Sequence, residues 1–347
     1  MRESSFTLEV FSNMPALSRV FFLTFVAFIF ALLITPVVSH FLYKYGIRQK
    51  IREKAVDGKE SPWFVKLHKK KEHTPTMGGI IIWITVLVVT LGFNMNRAQT
   101  WLPLFTLVAA GVLGMFDDIL NALDTGVQKG MKALRKLFFQ TLIAGAGAWW
   151  FYYKLGFQSI HLPGLGDFNI GWLYILLFII VIIATMNAVN MTDGLDGLAA
   201  GILMIAFGAF SIIAIAKGRY DLAAFCGTIG GSLLAFLWFN IYPARFFMGD
   251  TGSMALGATL GVVALLLNSV AVLPIIGFVF VIETGSVIIQ LTSKRFFGRK
   301  IFLSTPIHHH FEALGWPEPK ITMRFWVIAA AFGAIGLVIG LIGMGNG

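Results

Sequence analysis

VFFLTFVAFIFALLITPVVSHFLY, residues 20–43, is an apolar run without a single Asp, Glu, Lys or Arg. An α-helix needs about 20 such residues to cross roughly 30 Å of hydrocarbon. Apolar and polar residues do not alternate along the run, so it is not a barrel strand. It is too long for a signal peptide and lacks a small-residue cleavage site. Working outward, the same pattern recurs at 77–94, 101–117, 137–156, 171–190, 198–216, 221–239, 254–269, 271–291 and 325–343. The break between the eighth and ninth runs rests on Asn268 and Pro274. These runs predict an all-α, polytopic membrane protein with about ten transmembrane helices. No internal repeat or low-complexity linker divides the chain, so residues 1–347 read as a single integral-membrane domain.

Composition agrees. Hydrophobic residues make up 57% of the chain and charged residues 13%, whereas soluble domains have about 45–50% and about 25%. No soluble core would hold that excess. One cysteine, Cys226, lies in an apolar run. It allows no intramolecular disulfide and no cysteine metal site.

Lys and Arg accumulate in cytoplasmic loops. Of the 27, ten fall between Lys44 and Lys71, four between Lys129 and Lys136, and six between Lys294 and Arg324, with Arg245 alone in its loop. That places 21 on one side. The other six are Arg2, Arg19, Arg97, Lys154, Lys217 and Arg219. Ten spans then put both termini outside, in the periplasm. The net charge of +10 reflects this topology and not nucleic-acid binding. A basic cytoplasmic face suits anionic head groups and anionic substrates.

Asp117, Asp118, Asp193, Asp196, Asp250 and Glu283 lie within or at the ends of spans, where charge is costly and usually functional. All but Glu283 fall at the predicted cytoplasmic ends. Any one alone reads equally well as a helix cap or a solvated end; the shared side argues for a site. Asp117 and Asp118 close the third span in GMFDD. Neighbours on a helix point about 100° apart, so the two are expected to have different roles. AVNMTDGLDG spaces Asn187, Asn190, Asp193 and Asp196 by three, and Gly194 and Gly197 permit a break that gathers the carboxylates. FMGDTGS sets Asp250 between Gly249 and Gly252 just before a span, where Asp or Ser could instead cap the helix. Converging carboxylates invite Mg²⁺, which takes one or two of them and bridges phosphate oxygens. No His/Cys spacing favours zinc.

Phosphate partners lie on the same side. In HTPTMGG, Thr74 can cap the second span, Pro75 suits the first helical position, and Gly78 and Gly79 allow close approach. A helix start is an anion site. Lys71 stands just before Thr76, and Lys136 begins the fourth span; either lysine alone reads as an interfacial anchor. PIHHHFE, 306–312, holds three consecutive histidines. Three in a row diverge, which makes a poor single-ion site but suits donation to phosphate or sugar oxygens. Glu283, Ser286 and Gln290 form a polar stripe at helical spacing in the ninth span.

NAVNMTDGLDGLA, FMGDTGS, TPTMGG, GMFDD and PIHHHFE together resemble the phospho-N-acetylmuramoyl-pentapeptide transferase family, within the polyprenyl-phosphate N-acetylhexosamine-1-phosphate transferases. The likeness covers nearly the whole chain. The Asp motifs mark the superfamily; TPTMGG with PIHHHFE marks the narrower family. One departure is His73, which replaces a glycine before TPTMGG. The resemblance implies transfer from UDP-N-acetylmuramoyl-pentapeptide to undecaprenyl phosphate, giving lipid I and UMP with Mg²⁺, in the inner membrane at its cytoplasmic face. It also suggests a homodimer. By motif position it implies catalytic roles for Asp117, Asp118 and Asp193 and metal ligation by Asp250. It implies substrate contacts for Lys71, Thr76, Lys136, Asn190, Asp196, Asn240, Gln290, His308, His309 and His310.

Two rivals follow from the residues. A proton-coupled transporter also carries intramembrane carboxylates, but near the midplane and often with internal repeats. A sister transferase using UDP-N-acetylglucosamine would share the Asp motifs but not PIHHHFE.

Overall fold

The computed structural model describes residues 15–45, 74–123 and 130–344. Each of the ten apolar runs is helical, the one at 271–291 with a break. In chain order these are α1 (Ala16–Lys44), α2 (Ile80–Phe93), α3 (Trp101–Leu123), α4 (Ala133–Trp149), α5 (Leu173–Thr192), α6 (Leu198–Ala216), α7 (Tyr220–Asn240) and α8 (Gly249–Leu266). A break then gives α9 (Leu273–Ile276) and α10 (Phe278–Phe297), and a short α11 (Ile307–Ala313) precedes α12 (Glu318–Ile342). Seven are long and apolar enough to cross a membrane, and up to eight if the segment Val270–Ile276, bent by 80° from α10, makes one span with it.

The two shortest of the ten differ from expectation for local reasons. α2 has 14 residues because the chain before it is committed elsewhere. Phe247 N–H donates to Pro75 O, and Gly78 and Gly79 N–H donate to Phe247 and Met248 O. Thr74 therefore does not cap the helix and Pro75 is not its first residue; Gly79 precedes the first turn instead. α4 stops at 17 residues and passes into a single wide turn, Trp150–Lys154. The all-α expectation also missed a small antiparallel hairpin, β1 (Ser159–Leu162) and β2 (Gly166–Asn169), paired Ser159 to Asn169.

The helices sort by burial. α1 leaves Phe21, Phe25, Ile29, Leu33, Val37 and Phe41 exposed at steps of four. In water such a stripe would be an aggregation surface; in a bilayer it faces lipid. α8 is the opposite. Every residue but Asp250 is buried, and it packs against α3 and α5. Its small residues allow that approach, as small residues do where membrane helices meet. A Cβ at Gly257 would collide with the Thr185 carbonyl of α5.

α8 also separates the molecule's two ends. Its 18 residues span about 27 Å. Beyond its far end, Asn268 Oδ1 accepts the His161 amide of β1 at 2.9 Å. That end also holds a knot in which Arg19 Nη1 and Asn96 Nδ2 donate to the two oxygens of Asp221, at 2.9 and 2.6 Å. Arg19, Lys154 and Lys217 lie at this end; Lys44, Lys136, Arg245 and Lys320 lie at the other, with the aspartates.

Candidate active site

Asp117 and Asp118 do not end α3. The helix runs on to Leu123, so both carboxylates sit on its rigid last turns and are nearly buried. Their directions differ, as adjacent helical positions require. Asp118 Oδ2 accepts the Thr251 amide at 2.9 Å and the Thr251 hydroxyl at 2.7 Å, which fixes it to the first turn of α8. Asp117 turns the other way. Its Oδ1 accepts the Met131 amide at 2.6 Å and its Oδ2 pairs with Lys136 Nζ at 2.9 Å.

Lys136, in the first turn of α4, joins two carboxylates. The same ammonium donates to Asp250 Oδ2. Asn190 Nδ2 of α5 donates to Asp250 Oδ1 at 2.6 Å and to Ser253 Oγ at 2.9 Å. Asp250 lies within the first turn of α8 and makes no side-chain cap. The expected break after Asn190 is present: α5 ends at Thr192, Asp193 follows, and Gly197 takes φ +74°. A left-handed φ of this kind suits glycine. Asp193 Oδ2 accepts the Gly249 amide at 3.0 Å. Four helices thus bring Asp117, Asp118, Asp193, Asp250, Lys136 and Asn190 to one place. Thr76 joins them: its buried hydroxyl has no hydrogen-bond partner among the described residues, and with Asp118 Oδ2 it crowds the place that a Cβ on Gly249 would take.

Other candidates stand outside this cluster. Asp196 Oδ2 accepts the Ala244 amide at 3.0 Å, and its own N–H donates to Glu318. Asn240 donates to Phe246 O and accepts the Gly197 amide. Both hold the 241–248 loop that leads to Asp250. Gln290 accepts the amides of Ile301 and Phe302 and donates to Phe302 O, each at 3.0 Å, so it shapes the approach to α11. Lys71 lies outside the described residues.

The three histidines take different partners, although the His308 and His309 rings pack with centroids 4.0 Å apart. His308 Nδ1 meets Glu283 Oε2 at 2.9 Å, His309 Nδ1 meets Glu312 Oε2 at 2.6 Å, and His310 Nδ1 accepts the Leu303 amide at 3.2 Å. Burial pulls the His308 imidazole down, but the facing Glu283 carboxylate outweighs it and holds the ring above its ordinary value of 6.5. His308 Nε2 presses against Gly194, beside Asp193. Among the described residues no three His, Cys, Asp or Glu side chains form a ready-made metal cage.

The sequence reading missed Thr251, Ser253 and Gln140. The first two lie inside FMGDTGS and act by holding Asp118 and Asn190. Gln140 is one helical turn from Lys136, and its Oε1 accepts Asn187 Nδ2 at 3.0 Å. Its i+4 spacing from Lys136 was the available signal.

Comparison with known proteins bears on the same residues. Residues 100–268, which span the aspartate cluster, match the model for glycosyl transferase family 4. The chain is 41% identical over 322 residues to the phospho-N-acetylmuramoyl-pentapeptide-transferase of Geobacillus thermodenitrificans, covering 90% of this chain and 95% of that one. It is also 41% identical over 326 residues to the protein of the same name from Bacillus mycoides, covering 91% and 96%. A likeness of that extent and degree carries both enzyme class and family. The chain is a membrane transferase and belongs to the phospho-N-acetylmuramoyl-pentapeptide-transferase family.

Proposed function

We propose that this enzyme transfers phospho-N-acetylmuramoyl-pentapeptide from UDP-N-acetylmuramoyl-pentapeptide to undecaprenyl phosphate, giving lipid I and UMP. The observation that carries the reading is the Lys136 ammonium bridging Asp117 and Asp250 at one end of the helix bundle. A polyprenyl tail must stay in hydrocarbon while its phosphate meets a water-soluble donor, and a charged cluster at a helix end meets both needs. We assign this end to the cytoplasmic face of the inner membrane, from the excess of Lys and Arg there. Ten crossings with both termini outside follow if α2 and α4 cross together with the loops that extend them.

The acceptor phosphate oxygen attacks the β-phosphorus of the nucleotide sugar. The bond from that phosphorus to the bridging oxygen breaks, and UMP departs with the oxygen. Asp117 is assigned as the base for any proton on the acceptor phosphate, because Asp118 is committed to Thr251 while Asp117 stands beside Lys136, the cation that draws an acceptor phosphate to it. Asp118, fixed by Thr251, is assigned to position the start of α8. Lys136 and Asn190 reduce repulsion between the two phosphates. The Thr76 hydroxyl, which has no hydrogen-bond partner among the described residues, is assigned to a donor phosphate oxygen. His309 and His310, with the 301–303 segment held by Gln290, are assigned to the donor.

The donor set fits Mg²⁺: among the described residues four carboxylates and an unpartnered hydroxyl offer oxygen only, and they outnumber the Lys136 ammonium, which meets two of them. Asp250 would hold the ion with help from Asp117 or Asp193, and the ion would neutralise charge on the transferring phosphoryl group and departing UMP.

Purified protein is to be given labelled UDP-N-acetylmuramoyl-pentapeptide with and without undecaprenyl phosphate and Mg²⁺. Labelled lipid and stoichiometric UMP are expected only with all three. UMP release with UDP-N-acetylglucosamine in its place would assign the sister reaction instead, and no UMP from either donor would refute transfer.

A further inference from the structure

Between the second half of α1 and the end of α7 lies a cavity of about 340 Å³. Pro36, Phe239 and Phe246 give it an apolar wall, and His40 and Arg245 stand at its rim. The Arg245 guanidinium lies 5.8 Å over the Phe239 ring and pairs with no carboxylate among the described residues. Its backbone is fixed as well: the Tyr43 hydroxyl donates to Arg245 O at 2.7 Å. Such a guanidinium presents planar donors that match a phosphate.

The surroundings decide what kind of phosphate. Val37 and Phe41, on the turns of α1 that border the cavity, are exposed on the lipid-facing stripe. The pocket is therefore open at the depth where a bilayer changes from acyl chain to head group. Basic pockets between membrane helices at this depth take anionic head groups. We propose that this cavity binds the phosphate head group of an anionic glycerophospholipid, with Arg245 as its main donor and His40 beside it.

The bound lipid would act on the catalytic cluster through the 241–248 loop. Ala244 of that loop is tied to Asp196, Phe246 to Asn240, and Phe247 to Pro75. The loop then runs directly into Gly249 and Asp250. A head group on Arg245 braces the outer side of the segment whose inner end presents Asp250.

The full chain is to be placed in nanodiscs of phosphatidylcholine alone or mixed with phosphatidylglycerol. Association of spin-labelled phosphatidylglycerol is read by electron paramagnetic resonance, and turnover by UMP release. Wild type should prefer the labelled anionic lipid over labelled phosphatidylcholine. Arg245→Gln should lose about fivefold of that preference, Arg245→Lys should keep most of it, and His40→Gln should lose a smaller part. Turnover in phosphatidylcholine should be the same in wild type and Arg245→Gln, while stimulation by phosphatidylglycerol appears only in wild type. Undiminished preference in Arg245→Gln overturns the site, and equal stimulation of both proteins overturns its coupling to Asp250. sn-Glycerol 3-phosphate should fail to displace the labelled lipid; full displacement would assign the pocket to soluble phosphate esters and overturn the lipid assignment. The resonance signal needs no transfer chemistry, so failure of the proposed reaction would not be mistaken for failure of the site.

Discussion

Glu283 Oε2 and His308 Nδ1 meet at 2.9 Å with neither side chain exposed. The pair joins α10 to α11, and so ties a long apolar helix to the histidine segment. Folding raises the pKa of this imidazole above 6.5. Its contribution to stability is then complete below that value and is lost as the pH rises through the higher folded value. Removing one partner of a buried pair costs roughly 3–5 kcal/mol. Glu283→Gln should therefore lower the unfolding temperature of solubilised protein most below pH 6.5, with the gap closing as the pH rises through the higher folded value. A gap independent of pH would show that the imidazole is neutral in the folded protein.

Asp117 and Asp118 should separate in a direct comparison. Asp117→Asn should fold normally and slow turnover by about 10²–10⁴-fold, the usual weight of a general base. It should recover partly as the pH rises and the acceptor phosphate loses its own proton. Asp118→Asn weakens both Thr251 contacts and should lower the unfolding temperature as well as the rate, with no recovery at high pH. Identical pH profiles, parallel to wild type, would remove the base assignment.

Chelation should stop turnover reversibly, with Mg²⁺ restoring it. Asp250→Asn should cut the rate by roughly a thousandfold, since metal-assisted charge stabilisation is worth several kcal/mol. It should raise the Mg²⁺ concentration needed for half activity while the protein remains folded. Near-normal turnover at ordinary Mg²⁺ would exclude ligation by Asp250.

Gly114 of α3 is a steric reporter of the same site. A Cβ there would stand far inside van der Waals contact with the Asp250 carbonyl oxygen. Gly114→Ala should force α3 and α8 apart at a cost of about 1–3 kcal/mol, and activity should fall further than stability because Asp117 and Asp250 separate. Gly145, which has open space around it, should accept alanine without loss. Equal behaviour of the two variants would contradict the packing.

Orientation can be read by labelling single cysteines in a Cys226→Ser background. A thiol replacing the exposed Leu165, in the hairpin turn, should react with an impermeant reagent from outside intact cells. One replacing the exposed Phe297, at the end of α10, should react only after permeabilisation. The reverse pattern would turn the site outward.

Element positions were legible in sequence because each apolar run meets only lipid or other apolar helices and never a bulk water face. Element ends were less so. Asp117 looked terminal because apolarity stops there, yet the helix continues to Leu123, since the Thr251 and Lys136 partners satisfy both carboxylates. The start of α2 was hidden for a similar reason: only the fold brings 246–248 beside Pro75. Within the site, Asp117, Asp118, Asp193 and Asp250 announced themselves as costly charges near a membrane, whereas Lys136 alone read as an interfacial anchor. Thr251 and Gln140 are polar but neutral, and only geometry shows what they hold. Asp196 shares a motif with the cluster and Asn240 lies seven residues before FMGDTGS, yet both face the loop behind the cluster, a distinction that residue spacing does not encode.

The burial of α8 also bears on how the protein is made. Enclosed on every side, it carries Asp250 and is among the least apolar of the candidate spans, so it has little to gain from lipid. α3 and α5, which enclose it, come earlier in the chain and leave the ribosome first. When α8 reaches the membrane, the groove it occupies and the lysine that neutralises its aspartate are already there. A nascent chain lacking either helix would offer α8 only lipid, and its insertion efficiency would fall accordingly.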